Sequence, residues 1–179
     1  MILDATCSLK RLWPERADVR MDIDLHARPD VRADATRLPF RDESFTEVYC
    51  DPPHFIRFNG DHTWQTQFDG RNYQRAEYSR FSSWPNKRAW LHFLDLSMVE
   101  FERVLRPMGN LHYKVPDGSR SHGRVVHYED VLNAAESVGL ESKPWKAYIS
   151  GGFLSNANVR RGRAASTIFE LCLYKRDGV

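Results

Sequence analysis

The chain has no long apolar run, no closely spaced cysteines and no marked excess of either charge, and each absence narrows what it does. No stretch approaches the roughly 20 apolar residues that span a bilayer, so no membrane segment is expected. The start, Met1-Ile2-Leu3-Asp4, has no basic segment followed by an apolar one. No secretory leader is therefore read there, and a cytoplasmic setting is expected. Cys7, Cys50 and Cys172 are odd in number and far apart. That excludes a disulfide framework and fits a reducing compartment. Without a close cysteine pair or a histidine ligand pattern, no metal site is expected. Lys and Arg total 26 against 24 Asp and Glu, a net charge of +2 that permits nucleic-acid binding without arguing for it. Internal repeats and low-complexity stretches are absent as well.

What is present is an ordinary globular composition, 41% hydrophobic and 28% charged over 179 residues, enough for one domain with a real core. The first fifty residues read as short, partly β-branched strands that end in acidic residues: Met1–Asp4, Asp18–Asp22, Val31–Asp34, and Phe45–Cys50 running into Asp51. From Asn86 to Arg106 a helical stripe runs through Trp90, Leu91, Phe93, Leu94, Met98, Val99, Phe101, Val104 and Leu105, with Glu100, Glu102 and Arg103 outside it. Pro107 and Gly109 are read as its stop. Asn110–Val115 reads as a strand and Tyr128–Val138 as a helix closed by Gly139; Ser142–Ile149 and Ser166–Tyr174 read as two closing strands. The expected fold class is α/β: a Rossmann-like, mostly parallel sheet flanked by helices, with an antiparallel hairpin at its C-terminal edge. Residues 1–179 are read as one domain with a long aromatic-rich insertion at 54–85.

Asp4, Asp22, Asp34 and Asp51 fall at the ends of four successive strands. Ligands of open α/β sheets bind at the carboxyl ends of the strands, so these side chains are expected to share one crevice. An adenosine-containing ligand needs a carboxylate for its ribose hydroxyls and an acceptor for its adenine amino group. Asp22 is placed for the first task, with Asp24 as its rival, and Asp34 for the second. Any one of them taken alone is as well explained as a turn former; the ordered series favours a site.

Asp51-Pro52-Pro53-His54 is the sharper signal. Two prolines stiffen the backbone and hold the Asp51 carboxylate and the Pro52 carbonyl in fixed directions. Both are acceptors. Aimed at one amino group, they take its two hydrogens, leave the nitrogen lone pair facing an electrophilic methyl, and stabilise the positive charge that grows on nitrogen.

These residues resemble the class I S-adenosylmethionine-dependent methyltransferases, and among them the N6-adenine and N4-cytosine amino-methylases and their small phage-type relatives. The resemblance is carried by Ile2 to Cys7, Met21 to Asp24, Ala33-Asp34-Ala35 with Leu38-Pro39-Phe40, Phe45 to His54, and Arg103 to Gly109. It implies S-adenosyl-L-methionine as cofactor, bound by Asp4, Ala5, Thr6, Cys7, Asp22, Asp34 and Ala35. It implies catalysis by Asp51, Pro52, Pro53 and His54, with adenine N6 of DNA or RNA as the favoured acceptor. Two features depart from the family pattern: Ala5 to Lys10 contains no glycine, and His54 stands where the family places a larger aromatic to stack on the base.

Between His54 and Trp84 the aromatics Phe55, Phe58, Trp64, Phe68, Tyr73, Tyr78, Phe81 and Trp84 interleave with Arg57, Arg71, Arg75 and Arg80. A nucleotide-clamping lid and a cover over the sheet or a dimer contact fit this segment about equally. Arg160, Arg161 and Arg163 lie in a loop that serves either phosphate contacts or a solvated hairpin. Lys114 is read as a surface lysine and His112 as structural. A partner subunit or homodimer is compatible with the missing recognition domain. Two other functions stay open: a cofactor-free binding module of the same fold, and an amino-methyltransferase acting on a protein amide or a small-molecule amine.

Overall fold

The computed structural model describes residues 1–7, 16–53, 55–56, 83–117, 119–120, 123–124, 128–143, 146–149 and 167–177. Strand β1 (Ile2–Asp4) is followed by β2 (Val19–Asp22), a 3₁₀ turn at Leu25–Ala27, β3 (Val31–Arg32) and β4 (Phe45–Cys50). Short strands β5 (Phe55–Ile56) and β6 (Ser83–Trp84) precede helix α1 (Lys87–Val104), which leads into the long β7 (Leu105–Asp117). Then come β8 (Ser119–Arg120), β9 (Gly123–Arg124), helix α2 (Tyr128–Ser137), β10 (Leu140–Ser142), β11 (Lys146–Ile149) and β12 (Thr167–Lys175).

The main sheet runs β3-β2-β1-β4-β7-β12-β10, and β11 pairs with the first half of β12. Strands β3, β2, β1, β4 and β7 are parallel, while β12 is antiparallel to every neighbour. This is the Rossmann-like, mostly parallel sheet expected from the sequence, with the antiparallel C-terminal hairpin formed by β11 and β12. β12 does not lie at the margin. It inserts between β7 and β10, because its alternating Leu171 and Leu173 bury on the core side among Leu111, Tyr113 and Leu140.

The strands alternate, and the alternation divides the sheet into two faces. Leu3, Val48, Cys50, Leu111, Tyr113, Val115 and Leu171 share one face, where they form a single core with Trp90, Leu94, Met98 and Phe101 of α1 and Val131 and Ala135 of α2. Glu47, Tyr49, His112, Lys114 and Glu170 stand on the other. Helix α1 starts where Asn86 accepts a hydrogen bond from the Ala89 amide at 2.8 Å, an N-cap. α2 ends at Ser137, and two residues on Gly139 takes a φ of +82°, the left-handed conformation that suits glycine.

Two details differ from the sequence reading. Helix α1 stops at Val104, before Pro107, and β7 begins at once. Pro107 and Gly109 therefore lie inside β7, at a bulge where the pairing jumps from Phe45–Leu105 to Glu47–Asn110. A Cβ at Gly109 would stand 2.8 Å from the Arg106 carbonyl oxygen, so glycine is required there by close approach. Second, Arg103 and Glu100, read as lying outside the buried stripe, form a clamp. Arg103 donates to the carbonyls of Phe40 (2.8 Å) and Leu38 (3.1 Å) and to the Asp42 carboxylate (2.7 Å). Glu100 accepts from the Leu38 amide at 2.6 Å and from Arg103 at 2.7 Å.

This clamp ties the segment after β3 to α1. Replacing Arg103 with Lys is expected to cost about 1.5–3 kcal/mol, since one ammonium cannot reproduce the planar fork. Urea denaturation of Arg103→Lys beside the wild type measures the loss. A change within roughly 0.5 kcal/mol would show that the clamp is not needed for stability.

Candidate active site at the switch point of the sheet

The chain enters the sheet at β1, moves outward to β2 and β3, then returns to β4 on the opposite side of β1. Connections therefore leave in opposite directions from β1 and β4, and a crevice opens at their carboxyl ends. Asp4 ends β1 and Asp51 follows β4, so the two flank that crevice. Asp22, at the end of β2, lies beside them.

Asp4 is only 1% exposed. Its carboxylate accepts from the Thr6 amide at 3.3 Å and pairs with the Arg20 guanidinium at 3.5 Å. Burial pushes its pKa up to about 7; the Thr6 amide and Arg20 oppose the rise, and the negative charges of Asp22 and Asp51 add to it. That mutual repulsion means that three of the four predicted carboxylates share one electrostatic environment. Asp34 does not take part in it. It is exposed, and its Oδ1 accepts from the Thr36 amide and hydroxyl at 2.9 and 2.8 Å, the geometry of a turn former. Asp24 caps the 3₁₀ turn and holds His26, while half-buried Asp22 accepts from the Asp24 amide at 2.9 Å.

The loop after β1 is tied to both neighbouring strands. The Ala5 amide donates to the Tyr49 carbonyl at 2.8 Å and the Cys7 amide to the Met21 carbonyl at 2.9 Å. The Ala5, Cys7 and Ala35 side chains are buried, so each acts through packing. Thr6 differs: its Oγ1 accepts from the Asp51 amide at 2.6 Å.

Asp51-Pro52-Pro53 is held at three places. Besides Thr6, the Lys114 ammonium lies 3.4 Å from the Asp51 carboxylate, and the Pro53 carbonyl accepts from the Trp84 indole at 2.8 Å. Trp84 in turn packs on Phe93 and Trp90 of α1, with ring centroids 4.7 and 5.6 Å apart. Pro52 is buried. The arrangement holds the Asp51 carboxylate and the Asp51-Pro52-Pro53 backbone at the strand end. Cys50, one residue earlier, is no rival nucleophile: complete burial pushes its thiol pKa well up.

Lys114 and Trp84, which sequence reasoning assigned elsewhere, touch the Asp51-Pro52-Pro53 loop. Lys114 stands on the polar face because it alternates with buried Tyr113 and Val115, a pattern visible in the sequence. Its neighbour across the sheet was not visible. Trp84, counted among the aromatics of the insertion, is engaged with α1 and Pro53. β5 and β6 pair in parallel, which brings the two ends of the insertion together beside the Asp51-Pro52-Pro53 loop. The His112 ring stacks on Tyr49 at 4.3 Å, with Glu47 at 3.2 Å and Glu170 at 3.7 Å. His54, residues 57–82 and the arginine loop at 160–163 lie outside the described residues. Among the described residues no three side chains are grouped to hold a metal, and no helix is long and apolar enough to cross a membrane.

The fold as a whole is matched by solved structures. A SAM-dependent methyltransferase of Methanosarcina mazei matches 99% of this chain and 92% of its own length, with a TM-score of 0.57 at 14% identity. The fold is that of the S-adenosylmethionine-dependent methyltransferases. A candidate DNA modification methylase of Thermus thermophilus, crystallised with S-adenosyl-L-methionine, matches 82% of the chain with a TM-score of 0.50 at 17% identity. The chain spans about half (52%) of the length of that protein. The [4+2]-cyclase SpnF, with a TM-score of 0.58 at 12% identity over 99% of the chain, shares the methyltransferase fold too. The fold therefore does not name the reaction. No protein-family model matches the chain, and no curated protein does.

The raised pKa of Asp4 carries a sign. The folded protein holds a proton there up to pH near 7, whereas the unfolded chain releases it near 4. Native Asp4 thus binds more protons between those values, and its contribution to stability falls as pH rises from about 4 to about 7, then levels. Denaturant midpoints between about pH 4.5 and 8, values chosen to bracket that window, are expected to fall more steeply for the wild type than for Asp4→Asn. Parallel profiles would show that Asp4 ionises normally.

Proposed function

We propose that the chain is an S-adenosylmethionine-dependent N-methyltransferase whose acceptor is an exocyclic amino group of a nucleic-acid base, adenine N6 before others. The observation that carries this reading is the Asp51-Pro52-Pro53 loop, anchored by Thr6, Lys114 and Trp84 at the switch point of a methyltransferase fold. The likeness to a candidate DNA modification methylase supports the nucleic-acid acceptor.

The donor set suits the cofactor. Asp22 ends the second strand, where a ribose diol is bound in such sheets, and Asp24 is already committed to its turn. Asp34 and buried Ala35 border the adenine end, and Asp4 to Cys7 the methionine end. When bound, the cofactor supplies a methyl group made electrophilic by its sulfonium. The rest falls to the chain. The Asp51 carboxylate and the Pro52 carbonyl accept the two amino hydrogens, fix the direction of the nitrogen lone pair and offset its growing positive charge. Lys114 keeps the carboxylate on the crevice side, and His54 is the residue assigned to stack on the base. A duplex target has to be flipped into such a site. In this reading the protein works in the cytoplasm on DNA or RNA, with a second copy or partner subunit supplying sequence recognition.

One observation favours a second reading, a methyltransferase-fold module without cofactor. The Ala5 and Cys7 amides are spent within the sheet, and the loop they belong to contains no glycine.

Calorimetry and transfer of labelled methyl separate the two. The wild type is expected to bind S-adenosyl-L-methionine, and Asp22→Ala to bind it at least roughly tenfold more weakly through loss of a charge-assisted hydrogen bond. Asp51→Ala should keep that affinity and lose on the order of a hundredfold or more in transfer to DNA or RNA. Retained transfer in Asp51→Ala would remove Asp51 from catalysis. Transfer to a protein fraction or a small amine alone would move the acceptor, and absence of cofactor binding would leave the second reading.

A further inference from the structure

We propose that Thr6 is a positioning residue that couples the loop after β1 to the catalytic loop, its hydroxyl oxygen holding the Asp51 backbone in place for the acceptor amine. The proposal rests on the reading of Asp51 as the amine acceptor.

Pro52 and Pro53 have no amide hydrogen. The Asp51 amide is therefore the last backbone donor of β4 before His54, and it has left the ladder. It is spent on Thr6 Oγ1 at 2.6 Å, a bond across 45 residues of chain. Thr6 cannot drift with it. Ala5 on one side is hydrogen-bonded to Tyr49 of β4, and Cys7 on the other to Met21 of β2. The Thr6 amide itself points to Asp4 Oδ1 at 3.3 Å. The hydroxyl oxygen thus sits on a backbone fixed at both flanks, between the carboxylate that ends β1 and the one that follows β4. A ligand that shifts residues 5–7 shifts Asp51 with them.

The consequence is kinetic rather than structural. Asp51 is exposed, so water can satisfy its amide when Thr6 Oγ1 is gone. The fold survives, and the carboxylate loses its aim. A displacement of about 1 Å in a reacting group costs on the order of a hundredfold in rate.

Thr6→Val keeps the shape and removes the acceptor; Thr6→Ser keeps the acceptor. At saturating S-adenosyl-L-methionine, Thr6→Val is expected to lower kcat at least about tenfold, and Thr6→Ser to retain most of kcat. The Asp51 amide should exchange with solvent faster in Thr6→Val and at the wild-type rate in Thr6→Ser, read by NMR without turnover. Equal losses in the two variants, a loss confined to KM, or unchanged exchange in Thr6→Val would overturn the proposal. If the wild type transfers no methyl group, the reading of Asp51 has failed, and amide exchange alone still decides whether Thr6 holds the loop.

Discussion

The site depends on one pairing, that of β4 with β7. These strands run parallel with Cys50 opposite Tyr113 and Tyr49 opposite His112. The register sends Val48, Cys50, Leu111 and Tyr113 into the core and leaves Tyr49, His112 and Lys114 on the other face. Because side chains alternate, a slip of one residue would place Lys114 in the core and Tyr113 at the crevice. The bulge around Gly109 absorbs the extra residues of β7, so the register is correct where the strands end and Asp51 meets Lys114. The hydrophobic face thus holds the polar one in place: burying Trp90, Phe101 and their neighbours under the sheet fixes where the charged residues stand.

The crevice concentrates charge that the fold would otherwise avoid. Burial raises the pKa of Asp4 to about 7; the Thr6 amide and Arg20 oppose the rise, and the charges of Asp22 and Asp51 add to it. Strained titration of this kind gathers where function needs it and is tolerated because the core stabilises the rest. The Asp51-Pro52-Pro53 loop is stiffened by borrowed contacts. Thr6 comes from the loop after β1, Trp84 from the foot of the insertion and Lys114 from β7, and none is a sequence neighbour of Asp51. Likeness to methyltransferases and to a cyclase alike shows how little the sheet alone says about chemistry. The loop at its edge carries that information.

Local chemistry in the sequence was enough to determine the α/β class, the strand Phe45–Cys50 to the residue, helix α1 to within about two residues, and the ordered carboxylates with their proline-stiffened loop. Periodicity, proline and the residue types at strand ends are local properties, and they survive into the structure because packing reinforces them. The tertiary structure alone decided the rest: β12 inside the sheet, Arg103 as a clamp and Lys114 facing Asp51. Each of these is a partnership between residues about 50 to 65 apart in the chain, and their pairing follows from sheet register and burial, which no short window of sequence contains.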